Sequence, residues 1–341
     1  MRIIFRADGN AQIGLGHIVR SLALTSIVRQ IAPCFFVVHS PTITVKKLLQ
    51  EADVTLIKMP ITLSAYSDAE ADYIANTVVK ANDIVVLDGY HFHFTYQKII
   101  KSSGCSLVCI DDLHTAPFAA DLIINHSPGV EESNYTALPT TRYCLGPAFS
   151  LLRTPFLEHA QLPTAVPVPI TNALLCFGGA DPQQFTTRVL TALLTIPTIQ
   201  QVGVVLGGAF AHEETLFNMT AEQPPGRVNI HRNISAEEFA TLFLGYQITV
   251  CPASTVLIES LVLGCAAITG YYVDNQRRLA DYVHAHKQAF SLGDLTRLSD
   301  SELPVAIERG LHFHQAMLRL PYVRKMAHAQ LQAEFEKLAQ H

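Results

Sequence analysis

Residues 2–31 read RIIFRADGNAQIGLGHIVRSLALTSIVRQI, and three textures follow one another within them. The compact apolar run at 2–6 has the length and composition of a strand buried on both faces. From residue 17 onward the apolar positions Ile18, Leu22, Leu24, Ile27, Val28 and Ile31 recur at helical spacing. Between them lies a loop carrying Gly14 and Gly16, where the backbone can come close to a ligand and a following helix aims its amides. Strand, glycine loop and helix in that order start a parallel α/β domain, and ligands of such domains bind beyond the carboxyl ends of the strands. The loop is not a dinucleotide fingerprint, because the position three after Gly16 is Val19.

The same alternation continues. Short apolar runs at 34–39, 84–88, 107–111 and 122–125 predict further strands. At 161–172 the sequence QLPTAVPVPITN places three prolines, Pro163, Pro167 and Pro169, in seven positions, which predicts an extended linker. Strands are then expected at 173–177, 201–206, 228–231, 248–251 and 266–271, with helices at 186–194, 236–244 and 256–263. The chain of 341 residues exceeds the roughly 250–300 at which one core stops growing. We therefore expect a first Rossmann-like domain over 1–160, a linker over 161–171, a second such domain over 172–311 and a helical C-terminal segment over 312–341.

Composition narrows the function. A net charge of −5 lacks the basic face of a nucleic-acid binder. The seven cysteines are scattered without C-x-x-C spacing, as buried free thiols of a reducing compartment would be. Residues 256–273 are apolar enough to suggest a membrane span, but Glu259, Gly264 and Gly270 divide them into helix, turn and strand. The start of the chain reads as no export signal, since Arg6 and Asp8 follow Ile3, Ile4 and Phe5 at once. No nucleic acid, no membrane insertion and a cytoplasmic location are the expectations.

His17 stands at the head of the first helix, where a neutral imidazole can take a proton from water; from position alone it could equally be a helix cap. Asp8 is expected to orient His17 or to hold the loop. Asp111 and Asp112 end a strand, and as neighbours they point to opposite faces, so a structural role is expected for them. In the second half Ser254 and Thr255 precede a helix and can hold phosphate or cap it. Glu259 follows Thr255 by one helical turn and can accept ribose hydroxyls. Gly178 and Gly179 mirror Gly14 and Gly16, and Asp181 with Pro182 also reads as a helix start. Ile234 and its neighbour Asn233 could read a base edge through the backbone. His91 and His93 lack a third metal ligand, and no metal is expected.

An ordered set of segments carries a resemblance. FRADGNAQIGLGHIVRSLAL (5–24), LDGYHF (87–92), IDDLHTAPFAADLIIN (110–125), LGPAFSLLRTPF (145–156), FGGADPQQFT (177–186), ASTVLIESLVLG (253–264) and YVDNQ (272–276) together resemble the nucleotide-sugar hydrolases of pseudaminic acid synthesis. Those enzymes act on UDP-2,4-diacetamido-2,4,6-trideoxy-β-L-altropyranose and are related to spore-coat polysaccharide and flagellar glycosylation proteins. The resemblance implies a GT-B-type fold, two Rossmann-like domains with parallel sheets facing across a cleft. It implies water attack at the anomeric carbon with inversion and release of UDP, without metal or organic cofactor. His17 takes the place of the family's catalytic histidine, Tyr90 of its cleft tyrosine and Asn275 of its asparagine. Arg6, Asp8, Gly14, Gly16 and Gln276 join Tyr90 and Asn275 as candidates for the sugar side. Gly178, Gly179, Ile234, Ser254, Thr255 and Glu259 are the candidates for UDP. The expected partners are the UDP-linked diacetamido sugar and other enzymes of the same sugar pathway. Pro252-Ala253 stands where relatives carry a glycine pair, which shifts weight from backbone amides to the Ser254 and Thr255 hydroxyls. A GT-B glycosyltransferase using the same donor and a non-catalytic nucleotide-sugar binder are the alternatives, and fold alone does not separate them.

Overall fold

Apolar residues at consecutive positions along a strand force both sheet faces to be covered, and the chain meets that demand twice. The computed structural model describes residues 1–10, 13–160, 169–179, 181–208, 210–316, 319–323 and 325–340. They fall into two units, one of residues Met1–Arg153 with Lys325–His341, the other of Thr154–Arg324.

The first unit contains β1 (Ile3–Ala7), α1 (Gly16–Val28), β2 (Cys34–Val38), α2 (Ile43–Glu51), β3 (Thr55–Lys58), α3 (Asp68–Tyr73), β4 (Ile84–Asp88), α4 (Phe94–Lys101), β5 (Ser106–Ile110), β6 (Leu122–Asn125) and β7 (Arg142–Leu145). Its seven strands run parallel in the order β3-β2-β1-β4-β5-β6-β7. Side chains alternate across the sheet. Ile3, Phe5, Ala7, Ile84 and Val86 pack with Ile18 and Leu24 of α1 on one face. On the other, Ile4, Val85 and Leu87 pack with Ile74, Tyr96 and Ile100.

The second unit contains α5 (Thr154–Glu158), β8 (Asn172–Leu175), α6 (Phe185–Thr195), β9 (Gln201–Leu206), α7 (Glu213–Ala221), β10 (Val228–Arg232), α8 (Ala236–Gly245), β11 (Ile248–Pro252), α9 (Thr255–Val262), β12 (Ala266–Tyr271), α10 (Asp274–Ala285), β13 (Phe290–Asp294) and α11 (Leu303–Ala316). Its six strands are also parallel, in the order β10-β9-β8-β11-β12-β13. A last helix, α12 (His328–Leu338), belongs to the first unit, where Leu331, Phe335 and Leu338 join the core under α1. The apolar stretch at 256–273 is helix α9, a turn at Gly264 and strand β12.

Two expected boundaries move. The first unit stops at residue 153, not 160, because Phe156 on α5 is fully buried against Phe239 and Phe243, with both ring pairs edge-on at 6.0 Å. The limit expected at 311/312 falls inside α11, whose Leu303, Ile307 and Leu311 form one continuous buried stripe in the second unit. Most of the expected proline linker, residues 161–168, lies outside the described residues.

Candidate active site

In an open parallel sheet the crevice opens where strand order reverses, since neighbouring connections there leave in opposite directions. In the first unit that place is between β1 and β4, paired with Ala7 opposite Asp88. Strand parity then decides which groups meet. Ile84 and Val86 face α1, so Asp88, two residues further on, faces it too. On α1, His17, Arg20 and Ser21 are three and four residues apart and share one helical face.

These four side chains form one hydrogen-bonded group. The His17 Nδ1 lies 2.8 Å from Asp88 Oδ1. Arg20 Nε donates to both Asp88 oxygens at 2.9 Å, its Nη2 donates to Oδ1 at 2.6 Å, and Ser21 Oγ donates to Oδ2 at 2.9 Å. Asp88 is fully buried. Burial alone would push its carboxyl up, but the Arg20 guanidinium and His17 outweigh that and hold it at about 2. The carboxylate is therefore ionised across the physiological range.

Arg20 reaches further. Its Nη1 donates to Asp112 Oδ2 at 3.0 Å, and the Tyr90 hydroxyl donates to the same oxygen at 3.0 Å. The Tyr90 ring stands edge-on to His17 with centroids 4.9 Å apart, and the residue is 47% exposed. Asp112 is thus part of this group, while Asp111 accepts from Tyr135 and from the amides of Leu113 and His114. His126, just beyond β6, lies within electrostatic reach of Arg20, Asp112 and Asp88. Burial, then Arg20, pushes it down to about 4, which keeps it neutral.

The loop before α1 is built by reciprocal backbone hydrogen bonds between Asn10 and Gly14, with Gly14 at φ +76°. Leu15, at the N-cap position of α1, offers no side-chain acceptor to the first amides of that helix.

Arg6 and Asp8, expected on the sugar side, take their partners on the other side of the sheet. Both leave β1 on the face opposite α1. The fully buried Arg6 guanidinium pairs with Asp8 (2.8 Å) and Glu70 (2.8 Å) and sits over the Tyr66 and Phe92 rings. Asp8 also accepts from the His39 amide at 2.7 Å. Asp88, not Asp8, orients His17. His93, considered for metal, caps α4 by accepting from the Tyr96 amide.

The second unit repeats the geometry. Its strand order reverses between β8 and β11, the strands that lead to Gly178–Gly179 and to Ser254–Thr255. Gly178 has φ +83°, and a Cβ on Gly207 would run into the Gly179 backbone, so the two loops touch here and Gly207 has no room for a side chain. Ser254 occupies the N-cap position of α9, yet its hydroxyl makes no cap hydrogen bond. Thr255 begins α9, and Glu259, one turn on, is buried. Asp181 is a cap in fact: its carboxylate accepts from the Phe185 and Thr186 amides at 2.9 and 2.7 Å, and α6 begins at Phe185 instead of Pro182. Ile234 lines a shallow hollow of about 330 Å³ with His231, Glu237, Thr241 and Leu242. Asn275 is exposed in the first turn of α10, whereas Gln276 Oε1 turns back to accept from the Tyr272 amide at 3.2 Å.

No protein-family model matches the chain. It is similar to an uncharacterized protein of Methanocaldococcus jannaschii, 26% identical over 290 residues, covering 82% of this chain but 58% of that protein's length. It is also similar to the UDP-2,4-diacetamido-2,4,6-trideoxy-β-L-altropyranose hydrolase of Campylobacter jejuni, 21% identical over 297 residues, covering 83% and 96% of the two chains. Among solved structures, HepE of Anabaena in complex with UDP superposes with a TM-score of 0.62 at 11% identity over the whole of both chains. MurG of Acinetobacter baumannii does so with 0.59 at 14% identity, over 98% and 99% of the chains. The fold is GT-B-type.

Proposed function

We propose that the chain hydrolyses a UDP-linked 2,4-diacetamido-2,4,6-trideoxy sugar, with His17 as the base that activates water. The observation that carries this reading is the His17–Asp88 pair beside Tyr90 at the reversal point of the first sheet. The likeness to the Campylobacter hydrolase supports the choice of substrate. His17 removes a proton from water as the water oxygen bonds to the anomeric carbon. The bond from that carbon to the diphosphate oxygen breaks, its electron pair leaves with UDP, and the configuration inverts. Ser254, Thr255 and the opening amides of α9 receive the growing negative charge of the leaving group. Gly178 and Gly179 admit the nucleotide's close approach, Ile234 lies against the base, and Glu259 takes the ribose hydroxyls. Tyr90, Asn275 and the Gly14–Gly16 loop meet the sugar. No metal or organic cofactor enters this chemistry. A cytoplasmic place in nonulosonic acid synthesis, beside enzymes that make and use the sugar, accords with this reading. Among the described residues no helix is long and apolar enough to cross a membrane.

The test is incubation with the UDP-linked sugar in ¹⁸O-water, followed by NMR and mass spectrometry. Inverted free sugar carrying the label, together with unlabelled UDP, is the expected result. Label in the phosphate would overturn the mechanism. UDP released only after an acceptor is added, with the sugar bonded to that acceptor, would favour the transferase reading, and no turnover at all the binder reading.

A further inference from the structure

We propose that Asp88 is the positioning residue that sets the tautomer of His17, placing the proton on Nδ1 and leaving the Nε2 lone pair free to act. An ionised carboxylate only accepts hydrogen bonds. The 2.8 Å contact from Asp88 Oδ1 to His17 Nδ1 therefore requires a proton on that nitrogen; with the proton on Nε2, two lone pairs would face each other. Arg20 Nη2 also lies 3.1 Å from Nδ1, but a protonated Nδ1 has no lone pair to offer, and Nη2 has Asp88 Oδ1 at 2.6 Å instead. Both carboxylate oxygens are fixed from a second side, Oδ1 by Arg20 and Oδ2 by Arg20 and Ser21. The carboxylate cannot turn away from the imidazole without breaking these bonds. A buried ion pair serving only to tie α1 to β4 would need Arg20 and Asp88, but not the histidine contact. The catalytic consequence rests on the base role read for His17 above; the tautomer itself does not.

The experiment reads the two apart. Long-range ¹H–¹⁵N spectra of histidine-labelled protein, with His17 assigned by the signals lost in His17→Gln, report which nitrogen is protonated. The wild-type neutral ring is expected to carry its proton on Nδ1. In Asp88→Asn the amide can turn its NH₂ toward Nδ1, so the Nε2-protonated form is expected to dominate. kcat should fall by roughly 10²–10⁴-fold with KM little changed, as for loss of a base in its working tautomer. Asp88→Glu, which keeps the carboxylate, is expected to restore the Nδ1 proton and part of kcat. A wild-type ring protonated on Nε2, or a folded Asp88→Asn protein whose tautomer is unchanged, would overturn the proposal. The wild-type spectrum decides even if the variant does not fold. A correct tautomer in a protein that fails to hydrolyse the UDP-sugar would sink the hydrolase reading and leave the role of Asp88 intact.

Discussion

Arg20 is the residue on which the first unit's polar group hangs, since its guanidinium bridges Asp88 and Asp112. Replacing it by alanine leaves a fully buried carboxylate without its counter-charge, so Arg20→Ala should cost about 3–5 kcal/mol in urea unfolding. Arg20→Lys should recover only part, because a lysine cannot present two donors in the plane of a carboxylate. Tyr90→Phe is a milder change. It keeps the ring edge on His17, removes the hydroxyl from Asp112, and on an exposed residue should alter stability by less than about 0.5 kcal/mol. Losing a hydrogen bond of about 1 kcal/mol at the site should lower kcat/KM by roughly fivefold, checked by steady-state kinetics. His17 was legible in the sequence through its glycine loop, and Tyr90 only through the family resemblance. Asp88 was not, because it reads as the polar end of an apolar strand, and whether it or Asp8 faces α1 depends on strand parity. Arg20 was readable as the i+3 neighbour of His17, but one polar residue on a helix looks like a solvated one.

At the level of elements, what the sequence hid follows from exposure. The strands absent from its reading are β3, β7 and β13, each the outermost of its sheet. None has a continuously buried run: their residues are mostly half-buried or exposed. An edge strand covered on fewer sides does not need the apolar stretch that betrays a central one. The inner strands β1, β4, β5, β8, β11 and β12 were all readable for the opposite reason, and they carry the candidate site's loops. The close passage of Gly207 over Gly179 makes a prediction of its own. Since the obstacle to a methyl group there is backbone, Gly207→Ala should destabilise by about 1–3 kcal/mol, seen as a lower urea midpoint. Gly16→Ala meets no neighbouring atom and should leave stability within about 0.5 kcal/mol of the wild type.

For the molecule as a whole, acid stability follows from histidines that fold neutral. Burial pushes His314 down from 6.5 to about 4, with Nε2 donating to the Ala267 carbonyl and Nδ1 buried, and His126 is pushed down similarly. A depressed histidine binds its proton more readily when unfolded. Stability is therefore full above about pH 6.5 and falls as pH drops toward 4, by up to about 3 kcal/mol for His314 and less for the half-buried His126. Asp88 acts lower, its contribution present above 3.8 and lost as pH falls toward 2. Urea unfolding of His314→Gln across pH 4–7 should show a shallower slope than the wild type. The return of α12 to the first unit has a practical outcome for dissecting the chain. Residues 154–324 form an uninterrupted insert, so that half can be excised as one fragment. A truncated chain ending at residue 153 would leave the space under α1 unfilled where Leu331 and Phe335 belong, and should expose apolar surface, bind a hydrophobic dye and aggregate. Splicing 1–153 to 325–341 through a short glycine-serine bridge is the design expected to cure it.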